Sequence, residues 1–169
     1  MEEFRLSKSM YDAMVAHARE GFPNEVCGVI LGPRGELREL HRAHNSAPDP
    51  LYTYDFDPKD LLRLYELADD AGWEFTSIYH SHPPFAEVFP SATDIAKAFH
   101  PDAVYIILAI GKVPPRVREQ LRNPEGRAAV IRQFGDPNLL APRMRAYRIS
   151  KADVFDRTGQ VEELELVVT

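Results

Sequence analysis

Residues 73–94 read WEFTSIYHSHPPFAEVFPSATD. The first ten, WEFTSIYHSH, are rich in aromatic and β-branched side chains, the composition of a strand. His80 and His82 stand two apart, so on a strand both imidazoles point to one face. Pro83, Pro84 and Pro90 then restrict the loop that follows. Ser91-Ala92-Thr93-Asp94 has the form of a capping box opening a helix, with Ser91 at the N-cap and Asp94 at N3. A stiff loop between strand end and helix start can set Asp94 against the two histidines.

The neighbouring segments extend this frame. Asp57-Pro58-Lys59-Asp60 is a helix start with Asp at the N-cap, Pro at N1 and an acid at N3. Leu61, Leu62, Leu64, Tyr65 and Leu67 carry that helix toward Gly72. EVCGVILG (25–32) reads as a strand closed by the Gly32–Gly35 turn, and LRELHRAHN (37–45) as its hairpin partner. Ser7 begins an amphipathic helix that ends at Gly21 as a C-cap. A short helix runs from Ser91 to about Phe99, and AVYIILAI (103–110) is a buried strand. The pattern weakens over 111–142, around RVREQLRN, which reads as an insertion packed on the surface. RAYRI (145–149) and VEELELVV (161–168) make a closing hairpin about Thr158-Gly159. Helices and strands alternate without regular βαβ units. This predicts an α/β fold, a mixed sheet flanked by helices, with residues 1–169 as one domain.

The composition narrows the function. A chain of 169 residues with 44% apolar and 27% charged residues has the make-up of a globular domain with a substantial core. A net charge of -6 argues against nucleic acid as the main partner, and Arg116, Arg118 and Arg122 read as a solvated face or partner contact. No apolar run approaches the roughly 18 residues of a membrane span. The N-terminal MEEFRLSKSM lacks the apolar core of a leader peptide. The lone Cys27 forbids an internal disulfide, and the expected compartment is the cytoplasm.

His80, His82 and Asp94, if brought together, offer two neutral nitrogens and a carboxylate oxygen. That set suits zinc, and three protein ligands leave a fourth tetrahedral position open, as in catalytic sites. Asp94 also has a plain role as a helix cap. The two roles are compatible if one oxygen takes the metal and the other the amide. Zinc-assisted hydrolysis needs a base as well. Glu25, at the mouth of an apolar strand, is a candidate, although considered alone a solvated strand end is its better explanation. His41 and His44 read as surface residues, Cys27 as a small buried side chain, and Tyr52 and Tyr54 as packing under the following helix.

Taken together, Glu25 in PNEVCGVILG, then HSHP (80–83) and PSATD (90–94), resemble the JAMM (MPN+) metalloprotease motif over roughly residues 4–110. The resemblance implies a cytidine-deaminase-like sandwich with one zinc held by His80, His82 and Asp94. It further implies Glu25 as general acid/base and Ser91 as a donor to the tetrahedral oxyanion. It points to a ubiquitin-like or sulfur-carrier protein with a Gly-Gly tail as substrate, cut after its last glycine. The interval from His82 to Asp94 is one residue longer than is usual in that family, which places the extra residue in the 83–90 loop. The 111–142 stretch would then shape a substrate groove, cover a sheet edge or form a homodimer contact. Two alternatives stay open: a zinc hydrolase acting on a small adduct such as a C-terminal cysteine or another small amide, and a non-catalytic binding module of the same fold.

Overall fold

The strand quoted above lies near the middle of a seven-stranded sheet in the computed structural model, which describes residues 1–169. We number the strands β1 (Glu3–Leu6), β2 (Cys27–Gly32), β3 (Glu39–Ala43), β4 (Glu74–Ser81), β5 (Val104–Ile110), β6 (Pro142–Ser150) and β7 (Gln160–Val168). The helices are α1 (Lys8–Gly21), α2 (Pro58–Ala71), α3 (Ala92–Ala96) and α4 (Pro124–Phe134), with a 3₁₀ helix over Pro115–Arg122. The sheet order is β1-β7-β6-β5-β4-β2-β3. β4 runs parallel to β5 and antiparallel to β2. The β1–β7 pair is also parallel, so the sheet is mixed, as the sequence predicts.

Both faces of the central strands are covered, which explains why β2 and β5 read as continuous apolar runs. α1 buries Met14, Val15 and Ala18 against Ile30, Tyr79 and Ile106 on one face. α2 buries Leu64 and Ala68 against Cys27, Val29 and Ile78 on the other. Gly28 is required by a close approach, because a Cβ there would collide with the Tyr79 ring. Strand alternation then puts Glu25, Cys27 and His80 on the α2 side, and Cys27 lies opposite His80 in the ladder.

The caps follow the sequence closely. Ser7 Oγ accepts from the Met10 amide, Asp57 caps α2, and Gly72 closes α2 in the left-handed region at φ 67°. Gly21 belongs to the last turn of α1, and Phe22 ends it. α3 stops at Ala96, short of Phe99. Two elements were not foreseen. β1 is four residues long and exists by pairing with β7, at the far end of the chain. α4 begins at Pro124 with Asn123 as its N-cap and packs with the 3₁₀ helix. Leu51, Val113, Val117, Leu121 and Val130 form a small separate core there. Arg122 pairs with Asp49 and Glu119 instead of standing free. No helix is long and apolar enough to cross a membrane.

Candidate metal centre

At the end of β4 the alternation that buries Ile78 carries His80 and His82 to the same side, and the chain then turns through Pro83 and Pro84. His80 is 1% and His82 8% exposed. Their Nε2 atoms face each other at 3.0 Å. Asp94 Oδ2 lies 3.2 Å from His80 Nε2 and 3.1 Å from His82 Nε2. Ligands held at 2.0–2.1 Å around a tetrahedral ion stand about 3.3 Å apart, so these three separations leave one metal ion's worth of space between them. Glu25 is buried beside them, with donor atoms of Glu25, His80 and His82 all within 4.8 Å of one another.

Each side chain is held by its local structure. Asp94 sits at N3 of α3, where Ser91 Oγ accepts from the Asp94 amide at 3.1 Å and Asp94 Oδ2 accepts from the Ser91 amide at 2.9 Å. The capping box is therefore complete. One expectation needs correcting: the cap and the histidines share the same oxygen, Oδ2, instead of dividing the two. His82 Nδ1 donates to the Glu87 carbonyl at 2.6 Å, which leaves the Nε2 lone pair free for a metal. Glu25 is fixed through its backbone: its amide donates to the Pro50 carbonyl, and its own carbonyl accepts from Asn45 Nδ2. Next to it, the Val26 amide donates to Ser81 Oγ at 2.8 Å, tying the start of β2 to the end of β4.

The electrostatics suit a bound cation. Glu25 Oε1 is buried without a hydrogen-bond partner beside the three donors, an expensive state for a polar group. Burial, with the Asp94 charge adding to it, pushes the Glu25 carboxyl up to about 9. Burial also lowers the His80 imidazole, against the opposing pull of Asp94. For Asp94 burial works upward, but His80, His82 and the Ser91 amide hold it below the ordinary carboxylate range. A neutral His80 beside an ionised Asp94 is the protonation state in which these two groups bind a metal.

All five residues singled out in the sequence converge on this corner. The sequence reading missed others that support them. Tyr54, read as packing under the following helix, stacks on His80 with ring centroids 4.4 Å apart. Asn45 satisfies four backbone groups around Glu25: it donates to the Glu25 and Thr53 carbonyls and accepts from the Ala47 and Asp55 amides. An Asn after a strand, followed by Ser and Pro, signals a turn but not what the turn holds. Cys27 is fully buried and burial pushes its thiol up to about 12, so it is not a nucleophile here.

The fold and this corner define a JAB-type domain. Residues 7–123 match the family described as prokaryotic homologs of the JAB domain, and the chain belongs to that family. Among curated proteins it is 38% identical over 109 residues to a desampylase of Haloferax volcanii, an alignment covering 60% of this chain and 77% of the relative. It is 39% identical over 101 residues to the CysO-cysteine peptidase of Mycobacterium tuberculosis, covering 59% of this chain and 68% of that one. Among solved structures, a Desulfitobacterium hafniense protein superimposes with a TM-score of 0.64 at 25% identity, covering 98% of this chain and 92% of that chain.

Proposed function

We propose that this chain is a zinc-dependent peptidase that hydrolyses the bond after the C-terminal glycine of a ubiquitin-like or sulfur-carrier protein. The observation that carries the reading is the buried, unpartnered Glu25 Oε1 beside the converging His80, His82 and Asp94 donors. The relatives named as a desampylase and a CysO-cysteine peptidase support the same class of reaction.

His80, His82 and Asp94 are assigned as the zinc ligands. Bound there, zinc supplies Lewis-acid polarisation of the scissile carbonyl, acidifies water to a pKa of about 7, and favours the carboxylate form of Glu25. Glu25 takes the proton from the attacking water and returns it to the leaving amine. Ser91 donates to the oxyanion. Its role as N-cap uses an acceptor lone pair, so the hydroxyl hydrogen stays available. The α2-side placement of Glu25 and His80 keeps base and ligands on one face of the sheet. In this proposal residues 1–169 act as one catalytic unit in the cytoplasm, with 111–142 as an insertion beside the 46–54 loop.

A relative named for cleaving a CysO-cysteine bond favours a second substrate form, a carrier tail ending in a single added amino acid. One experiment separates the two. A ubiquitin-like protein ending in Gly-Gly is prepared with either a lysine-linked partner or one C-terminal cysteine, and intact mass is followed with wild type and with wild type plus chelator. Loss of the adduct after the last glycine, only without chelator, is expected, and the faster adduct identifies the natural one. Equal cleavage with and without chelator would rule out the metal. No cleavage of either adduct by zinc-loaded protein would favour the binding module.

A further inference from the structure

The loop that joins His82 to Ser91 turns a run of its carbonyls toward side chains. Arg143 Nη2 donates to the Pro84 carbonyl at 3.4 Å and the Ala86 carbonyl at 3.2 Å, while its Nε donates to Gly111 at 3.0 Å. The Glu87 carbonyl takes the His82 Nδ1 proton. The Val88 carbonyl accepts from Tyr147 Oη. Arg143 and Tyr147 both come from β6, four residues apart and therefore on one face, opposite Ala109 and Tyr105 in the ladder. Both lie outside the 7–123 segment that matches the family.

Arg143 belongs with Arg19, whose side chain also donates to carbonyls alone. Arg5, Arg38, Arg42, Arg122, Arg145 and Arg148 pair with carboxylates. Arg143 is half-buried and gives its hydrogen bonds to carbonyls alone. A planar guanidinium fixes several acceptors relative to one another, which a flexible ammonium does poorly. Tyr147 is fully buried, and Val88 packs beside it with Ile107 and Ala109. The loop is thus pinned on both sides of Glu87, the residue whose carbonyl orients His82. Its far end passes through Pro90 directly into Ser91.

We propose that Arg143 and Tyr147 are positioning residues of the metal site, holding the 83–90 loop so that His82 and Ser91 keep their places. The inference rests on the roles assigned to His82 and Ser91 above. Arg143 acts through Glu87 on the orientation of the His82 ring, so its loss is felt in metal binding. Tyr147 acts through Val88 on the Ser91 side, so its loss is felt in turnover.

The test measures Zn²⁺ affinity by chelator competition and the visible spectrum of the Co²⁺-loaded protein for wild type, R143M, R143K, Y147F and R148M. R143M is expected to weaken Zn²⁺ binding by about 10- to 100-fold, the usual effect of losing a partner that orients a ligand, and to change the Co²⁺ spectrum. R143K should recover part of that loss. R148M, which removes an arginine of the same strand that pairs with Glu2 instead of the loop, should match wild type. Y147F should keep metal affinity and lower kcat with KM unchanged. Wild-type affinity and spectrum in R143M would overturn the proposal, and should R143M not fold, the same result in R143K would do so. Hydrogen exchange of the metal-free proteins separates this inference from the functional reading. Faster exchange of loop amides in R143M, in a chain whose wild type binds no metal, would sink the site assignment and leave the clamp standing.

Discussion

Ser91 is proposed to serve two ends with one side chain. Its oxygen caps α3 by accepting from the Asp94 amide, and its hydrogen is free for a substrate oxyanion. The two uses separate on substitution. S91A is expected to cost about 1 kcal/mol of stability from the lost cap, and about 10²-fold in kcat from the lost oxyanion donor. Urea unfolding and steady-state kinetics on the same preparation read both; a cap without catalytic use would move only the first. His80, His82, Asp94 and Ser91 sit at positions with a local rule, alternation along a strand or N-cap and N3 of a helix. Local pattern makes Glu25 only a solvated strand end and Ser91 only a cap; the resemblance of the combined motif is what marks their chemistry. Tyr54, Asn45, Arg143 and Tyr147 could not be picked from the sequence. Their partners lie across the fold, and no local pattern marks a side chain whose use is set by a distant carbonyl.

At the level of elements, what positions the site is a set of junctions. β2 begins at Cys27, just past Glu25 and Val26, β4 ends at Ser81, and α3 begins at Ala92. Asn45 secures the first of these, bridging Glu25 and the 47–55 loop with four hydrogen bonds. N45A leaves those backbone groups without their partner and is expected to cost roughly 1–3 kcal/mol. Urea denaturation checks this; a change under a few tenths of a kcal/mol would mean that the loop holds Glu25 without Asn45. The strong elements, α2 and the β2–β3 hairpin, were legible because cap, periodicity and turn all agreed. β1 was not, since four residues carry too little pattern and its strand form comes from β7. α4 was hidden by Pro124, Gly126 and its arginines. Its helical form rests on the Asn123 cap and on packing of Val130 against Val117 and Leu121.

For the whole molecule, the two faces of the sheet divide the work. The α2 side carries the site, and the α1 side carries a larger apolar core closed by a polar contact, His17 Nδ1 to Tyr79 Oη at 2.8 Å. Burial, with Arg42 adding to it, lowers the His17 imidazole from 6.5 to about 4. The unfolded chain takes up this proton as pH falls through about 6.5, while the folded chain resists until about 4. The stability contributed by neutral His17 is therefore complete above about 6.5 and lost as pH falls toward 4. The urea midpoint of the wild type should decline over that window, and H17Q should decline less steeply. Parallel curves for the two proteins would contradict the assignment.

The central claim is that Glu25 is a base beside a metal and not one of its ligands, and E25Q tests it most directly. Zinc content and cleavage of a Gly-Gly-tailed ubiquitin-like protein adduct are measured on one sample of the variant and on wild type. The account predicts one zinc per chain in both, with cleavage in E25Q lower by 10²-fold or more. Zinc lost with activity would make Glu25 a ligand, and full activity with zinc retained would remove it from the chemistry.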